Sequence, residues 1–190
     1  MIANLSEVPD DYTARTDPEV TVQRAQVLAG LGVRSVLELC VGPSLRELTA
    51  AYETVGITCT GNDLEGRWKR YWDKGSWVLG DALQIPWLGY EAVVFAPPLS
   101  RGCTGRREDA LRIDDVVPPF TDYLTRLERE PTVKVGVLVL PARSLATRWD
   151  RTQFYCLLRR AQGLGLVDTR EATVGPRRIR KYVELYVLRP

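Results

Sequence analysis

Short apolar runs alternate along this chain with segments of helical spacing. Val36, Leu37 and Leu39 form one run and Ile57 to Gly61 another, and between them Leu45, Leu48, Ala51, Tyr52 and Val55 recur at intervals of three or four. Runs that short suit buried strands, whereas the intervening spacing predicts a helix with one apolar face. The break Val41-Gly42-Pro43-Ser44 separates the first strand from the helix, Gly56 ends the helix, and the second strand finishes at Asn62-Asp63. The unit reads strand, tight turn, helix, strand, acid, which is the first half of a nucleotide-binding α/β arrangement. In such a unit the ligand lies outside the carboxyl ends of the strands. Helix N-terminal amides attract anions there, and an acid ending the second strand accepts ribose hydroxyls.

The same reading extends in both directions. Asp17-Pro18-Glu19 starts a helix, with an Asp cap, Pro at the first position and an acid in the first turn. Val22, Ala25, Gln26 and Ala29 continue it and Gly30 to Gly32 closes it. Residues 1–17 carry no clear periodicity and are expected to form an arm packed on or near the site. Between Glu65 and Trp72, bases interleave with aromatics in a short helix. Either it is a platform that stacks a base and holds a phosphate, or it is a surface helix with Trp68 and Trp72 turned inward. Ser76 to Leu79 is the third strand, with Gly80-Asp81-Ala82 at its exit. Glu91 to Phe95, apolar enough to be central, is the fourth. It leads into Ala96-Pro97-Pro98-Leu99 and a loop carrying Arg101, Arg106 and Arg107. A helix after Pro118-Pro119 sets Phe120, Tyr123, Leu124 and Leu127 on one face. Val133 to Leu140 is the fifth strand, and a helix over Asp150 to Ala161 follows with Phe154, Leu157, Leu158 and Ala161 inward. Leu166 to Val174 and Tyr182 to Leu188 are the last strands. Their short connection, with Arg177, Arg178, Arg180 and Lys181, makes them an antiparallel hairpin.

Composition narrows the chemistry more than the architecture. The 190 residues form one expected domain, 45% hydrophobic and 26% charged, as in ordinary globular chains. No apolar run approaches the roughly 20 residues that span a bilayer, and the polar start lacks the order of a signal peptide, so a cytoplasmic protein without membrane contact is expected. The 4 cysteines make no C-x-x-C pair, which suggests neither a metal site nor a disulfide framework. The chain has no histidine, which removes Ser-His-Asp and Cys-His catalysis. With a net charge of only +2, local clusters of cations must make any case for a polyanionic partner.

Taken together, Glu38 at the first strand end, the turn with Cys40, Gly42 and Ser44, Asp63, Gly80-Asp81-Ala82 and the Pro-Pro turn resemble the class I S-adenosylmethionine (SAM)-dependent methyltransferases over residues 18–190. The resemblance implies an α/β fold: a seven-stranded, mostly parallel, doubly wound sheet of order 3-2-1-4-5-7-6, the last strand antiparallel, with helices on both faces. The family's first motif is acid-x-Gly-x-Gly-x-Gly, and here its positions are Glu38, Cys40, Gly42 and Ser44. The resemblance gives Glu38 ordered contacts to the ligand's ammonium end or to the turn. Gly42 would permit close approach to the methionine part, with small Cys40 and Ser44 leaving it open. Asp63, followed by Leu64, matches the acid that binds the ribose. Asp81, followed by Ala82, matches the residue that accepts a hydrogen bond from the adenine amino group.

Ala96-Pro97-Pro98-Leu99 resembles the Asn/Asp-Pro-Pro-aromatic motif of methyltransferases that act on amino groups of nucleic-acid bases or glutamine. The backbone acceptor is kept, while the polar side chain and the stacking ring are replaced by Ala96 and Leu99. If the final hairpin opens at the carboxyl edge of the sheet, Arg101, Arg106, Arg107, Arg177, Arg178, Arg180 and Lys181 converge on one mouth and favour an anionic substrate, RNA or DNA foremost. Transfer from a sulfonium can proceed by positioning alone, so the missing histidine is no objection. Three alternatives stand beside this reading: a small-molecule or protein-side-chain methyltransferase, an inactive SAM- or nucleic-acid-binding module, and a nicotinamide-dependent oxidoreductase. The last is disfavoured because G-x-G-x-x-G is missing.

Overall fold

Alternate side chains of the first strand enter two different cores, and the rest of the architecture follows from that division. A computed structural model of the chain describes residues 18–64, 66–72, 76–96, 117–141, 148–174 and 180–190. In β1 (Ser35–Leu39), Val36 packs into a cluster with Ala25 and Leu28 of α1 (Pro18–Gly30) and Leu45, Leu48 and Tyr52 of α2 (Leu45–Glu53). Leu37 and Leu39 point the other way, among Phe120, Tyr123 and Leu127 of α3 (Val117–Arg129) and Leu157 and Ala161 of α4 (Arg148–Gln162). A strand sandwiched between two helical layers must be apolar on both faces, which is why these runs do not alternate with polar residues.

The remaining strands are β2 (Thr58–Asp63), β3 (Ser76–Leu79), β4 (Ala92–Phe95), β5 (Val135–Pro141), β6 (Leu166–Val174) and β7 (Arg180–Leu188). They form one 7-stranded sheet of order β3-β2-β1-β4-β5-β7-β6, as the resemblance implied. β7 runs antiparallel to both β5 and β6, and the other pairings are parallel. Consequently β1, β2, β3, β4 and β5 all end on one edge. Val174 pairs with Arg180 in register, so the last hairpin opens on that edge too.

In α1, Val22 and Gln26 face solvent, and the buried residues are Val20, Thr21, Arg24, Ala25 and Leu28. Arg24 turns inward because buried acids meet it there: its Nη1 donates to Glu38 Oε1 at 2.8 Å and its Nε to Glu184 Oε1 at 2.8 Å. Tyr52 and Tyr186 donate their hydroxyls to Glu38 and Glu184, each at 2.5 Å. Burial, then the neighbouring carboxylate, pushes both phenols well above the ordinary tyrosine value, so both remain donors at any physiological pH. One local expectation is corrected: Pro118 and Pro119 lie within the first turn of α3 rather than before it. Proline is tolerated there because first-turn amides lack intrahelical partners.

Gly136 of β5 sets how closely α3 approaches the sheet. A Cβ at this position would meet Leu127 Cδ2 at 2.5 Å and Tyr123 Oη at 2.8 Å. Tyr123 in turn donates to the Val93 carbonyl at 2.7 Å. Gly136→Ala is therefore expected to destabilise the fold by about 1–3 kcal/mol through overpacking. Chemical denaturation would read this as a lower midpoint with an unchanged slope; an unchanged midpoint would mean that α3 shifts freely.

Candidate functional site

The carboxyl ends of β1, β2 and β3 gather most of the candidate cofactor-binding residues. Beyond β1 the Val41 amide continues the ladder by donating to the Asn62 carbonyl at 2.9 Å, while Cys40 adopts φ 61° and Gly42 φ 52°. Gly42 follows from its backbone, because a left-handed residue carries the least penalty without a Cβ; Cys40 carries that penalty. The Gly42 peptide is held at both ends. Its N–H donates to Asp63 Oδ2 at 2.8 Å, and its carbonyl accepts from the buried Trp72 indole at 2.7 Å. Behind it, Ser44 is buried and α2 begins at Leu45.

Asp63 ends β2, and its carbonyl accepts from the Gly80 amide at 3.0 Å. The Asn62 side chain ties the same two strands, donating to the carbonyls of Val78 at 3.1 Å and Gly80 at 2.9 Å. Asp81 then caps its own turn, its Oδ1 accepting from the Leu83 amide at 2.9 Å while the carboxylate stays exposed. Ala82 is half-buried and its carbonyl accepts from Trp87 Nε1 at 3.1 Å. Burial pushes the Cys40 thiol up to about 12, and the negative charges of Asp63 and Asp81 push in the same direction. Both acids thus lie close enough to one thiol to act on it. Leu64, next to Asp63, is 70% exposed, an apolar side chain left open beside two acids. An apolar surface flanked by two carboxylate acceptors suits a purine nucleoside, which has an apolar face, ribose hydroxyls and an amino edge. The acceptors present fit the hydroxyl and amino donors of the adenosine part of SAM.

The structure brings Cys40, Gly42, Asp63, Leu64, Asp81 and Ala82 to one rim, but it does not bring the Glu38 side chain there. Glu38 is 2% exposed and held by Arg24 and Tyr52, so the expectation of direct contacts to a ligand is corrected: the carboxylate braces the layer beneath the turn. Trp68 and Trp72 are both buried, which decides for the inward reading of that segment. The aromatic left partly open is Trp77 of β3, 5.5 Å from Trp72 and under the Lys69 ammonium at 4.6 Å. Sequence reasoning missed the indole that holds Gly42, since nothing in a spacing announces a bond across 30 residues.

Ala96 is half-buried just beyond β4. Pro97, Pro98, Leu99, Arg101, Arg106, Arg107, Arg177 and Arg178 lie outside the described residues. Arg180 and Lys181 are the first residues of β7, opposite Val174 and Thr173. Among the described residues no group of three His, Cys, Asp or Glu side chains is placed to hold a metal ion, and no helix is long and apolar enough to cross a membrane. An open crevice at the opposite edge, between the starts of β2 and β3, is lined by Thr49, Glu53, Thr58 and Ser76 and gathers no pair of acids.

No family model matches the chain, and no curated protein matches it. Solved structures do. The methyltransferase domain of bacterial CtHen1 is similar over 91% of this chain and 98% of its own, with TM-score 0.56 and 13% identity. The E. cuniculi Mtq2–Trm112 complex, responsible for methylation of the eRF1 translation termination factor, matches over 95% of this chain and 99% of its own, with TM-score 0.54 and 17% identity. A Pyrococcus abyssi tRNA (uracil-54, C5)-methyltransferase, solved with S-adenosyl-L-homocysteine (SAH), matches over 92% of this chain and 39% of its own, with TM-score 0.53 and 14% identity.

The thiolate is the nucleophile of cysteine alkylation, so a thiol protonated up to about pH 12 is inert under ordinary labelling. Iodoacetamide at about pH 8 is expected to modify exposed Cys156 and to spare Cys40 until the chain is unfolded. Peptide mass mapping would read the difference, and equal rates at the two positions would contradict the enclosed setting of Cys40.

Proposed function

We propose that this chain, which has the fold of the class I SAM-dependent methyltransferases, is itself a SAM-dependent methyltransferase, acting on a nucleic-acid component, RNA foremost. One observation carries the reading: the ends of three adjacent strands place Asp63 and Asp81 around the Cys40 to Gly42 turn. When bound, SAM supplies a methyl group already activated on a sulfonium. In this reading Asp63 accepts the ribose hydroxyls, Asp81 accepts the adenine amino hydrogen, and Leu64 and Ala82 cover the apolar faces of the base. Gly42, with small Cys40 and Ser44 around it, leaves room for the methionine part. The neutral Cys40 thiol adds no negative charge beside the two carboxylates.

The target enters from the β4 side, where the Ala96 carbonyl and the prolyl backbone at 97 and 98 accept hydrogens from an attacking amine. No side-chain base is required, because holding an amine in line with an activated methyl lowers the barrier by proximity and orientation. A tRNA methyltransferase among the similar structures supports RNA as the substrate, as do the arginines that the sequence carries after β4 and between β6 and β7.

Calorimetry with SAH and, separately, NAD tests the cofactor. SAH is expected to bind in the micromolar range and NAD not to bind; NAD binding alone would overturn the reading. Asp81→Ala is expected to weaken SAH binding about tenfold, as loss of a hydrogen bond to a charged acceptor does, with a small drop in Tm because the Leu83 amide loses its acceptor. Trp72→Phe keeps the ring and removes the indole donor, and is expected to weaken SAH binding by about twofold to tenfold by loosening the Gly42 peptide. Labelled-methyl transfer to RNA, DNA and protein pools then tests the substrate, with label expected in RNA. Label confined to protein would move the function to a side-chain methyltransferase.

A further inference from the structure

The inner face of α4 is set by Leu157 and Ala161, which are buried, and by half-buried Phe154 and Leu158. The outer face follows from this: Arg151, Tyr155 and Arg159 are all exposed and lie four residues apart. At 1.5 Å rise per residue that spacing sets them nearly in line, about 6 Å from one to the next. Tyr155 is 61% exposed, against 37% for Trp77, the other exposed aromatic among the described residues. Its ring rests against Phe154, with centroids 6.3 Å apart and planes at 56°, which steadies it while leaving a face open. Arg160 flanks the row, its Nη2 donating to Thr125 Oγ1 at 2.6 Å.

This helix is positively charged within a chain that is nearly neutral. Its sequence holds four arginines, at 148, 151, 159 and 160, and a single acid, Asp150, for a net +3. The whole chain carries only +2, so residues outside α4 sum to −1. A helix with a net +3 that holds an aromatic ring up between two arginines combines the two elements of single-strand recognition, cations for phosphates and a ring for an unstacked base. Its place also fits. β5 ends at Pro141 on the edge that carries the acids, α4 starts seven residues later, and β6, which follows it, starts from the opposite edge. The helix therefore runs from the site's edge along the outside of the sheet.

We propose that the outer face of α4, through Arg151, Tyr155 and Arg159, is a track for single-stranded RNA that leads the strand away from the site's edge. The identity of the strand as RNA rests on the proposed function; the track itself rests on the charge and exposure of this helix. Arg151 and Arg159 hold phosphates and Tyr155 stacks one base without reading its sequence.

Fluorescence anisotropy of the full chain with a labelled oligouridylate of about 12 nucleotides, between about 50 and 200 mM salt, tests the track. Arg151→Ala with Arg159→Ala is expected to flatten the logarithmic salt slope by about 1.4, the value for two phosphate contacts on a single strand. Tyr155→Ala is expected to weaken binding about tenfold with the slope unchanged, and Tyr155→Phe to bind like the wild type because the ring remains. All these variants are expected to keep the wild-type Tm and SAH affinity. Wild-type affinity and slope in the double arginine variant would overturn the track while leaving the RNA reading intact. A wild-type chain that binds SAH but no RNA would overturn the RNA reading itself and the track with it. Tighter binding to duplex than to single strand, or displacement of the oligonucleotide by polyglutamate at matched charge, would likewise overturn the track.

Discussion

A buried guanidinium bonded to two carboxylates from strands that are not neighbours is the constraint on which this structure turns. β4 and β5 lie between β1 and β7 in the sheet, yet Arg24 reaches Glu38 on one side and Glu184 on the other. Together the three groups brace α1 across four strands. Charges removed from water need full satisfaction, and here Tyr52 and Tyr186 supply the donors that a single arginine cannot. The Arg24 charge is held firmly: burial alone would lower its pKa, but the two acids outweigh burial and raise it. Removing one member of such a set leaves an uncompensated buried charge at about 3–5 kcal/mol, whereas apolar replacement of all members is often tolerated. The brace is therefore better understood as fixing where α1 and β7 sit than as a source of net stability.

That placement reaches the site through two residues of backbone. Glu38 is fixed from below, Cys40 starts the turn, and the Gly42 peptide is gripped by Asp63 from β2 and by Trp72 from the 3-10 turn that follows it. Asn62 and Gly80 then tie β2 to β3, so the position of Asp81 depends on the same chain of bonds. Each net bond is worth only about 0.5–1.5 kcal/mol, but they run in series from core to rim and leave the two acids little room to move apart. A nucleoside held at both polar edges needs this rigidity more than it needs any single strong contact.

The elements could be read from the sequence because they depend on patterns local to each unit, whereas their order in the sheet came from the resemblance to a known family. Apolar runs, glycine breaks and helical spacings fixed the elements to within a few residues, and the short link between β6 and β7 fixed their sense. The positions of Asp63 and Asp81 were readable for the same reason, since Asp63 ends β2 and Asp81 follows the end of β3 by two residues. Glu38 misled because a strand-end acid looks alike whether it faces a ligand or a buried arginine, and its partner lies 14 residues upstream on a helix. Arg24 is polar, and a hydrophobic pattern counts polar residues as outward. The Arg151, Tyr155 and Arg159 row escaped notice because helical spacing was used to find the inner face of α4 and not to inspect what the outer one displayed.

Two lost glycines in the turn need not mean a lost ligand. A left-handed non-glycine residue costs about 1–2 kcal/mol, and Cys40 carries that cost at φ 61°. The Gly42 peptide is bonded at both its N–H and its carbonyl, which offsets about as much as Cys40 costs. The family's turn can rely on glycine because its backbone relaxes readily into the required shape; here the shape is imposed from outside, by Asp63 and an indole. The one glycine retained, Gly42, is a position where φ 52° favours having no Cβ. What has been kept is the single residue for which the surrounding bonds offer no substitute.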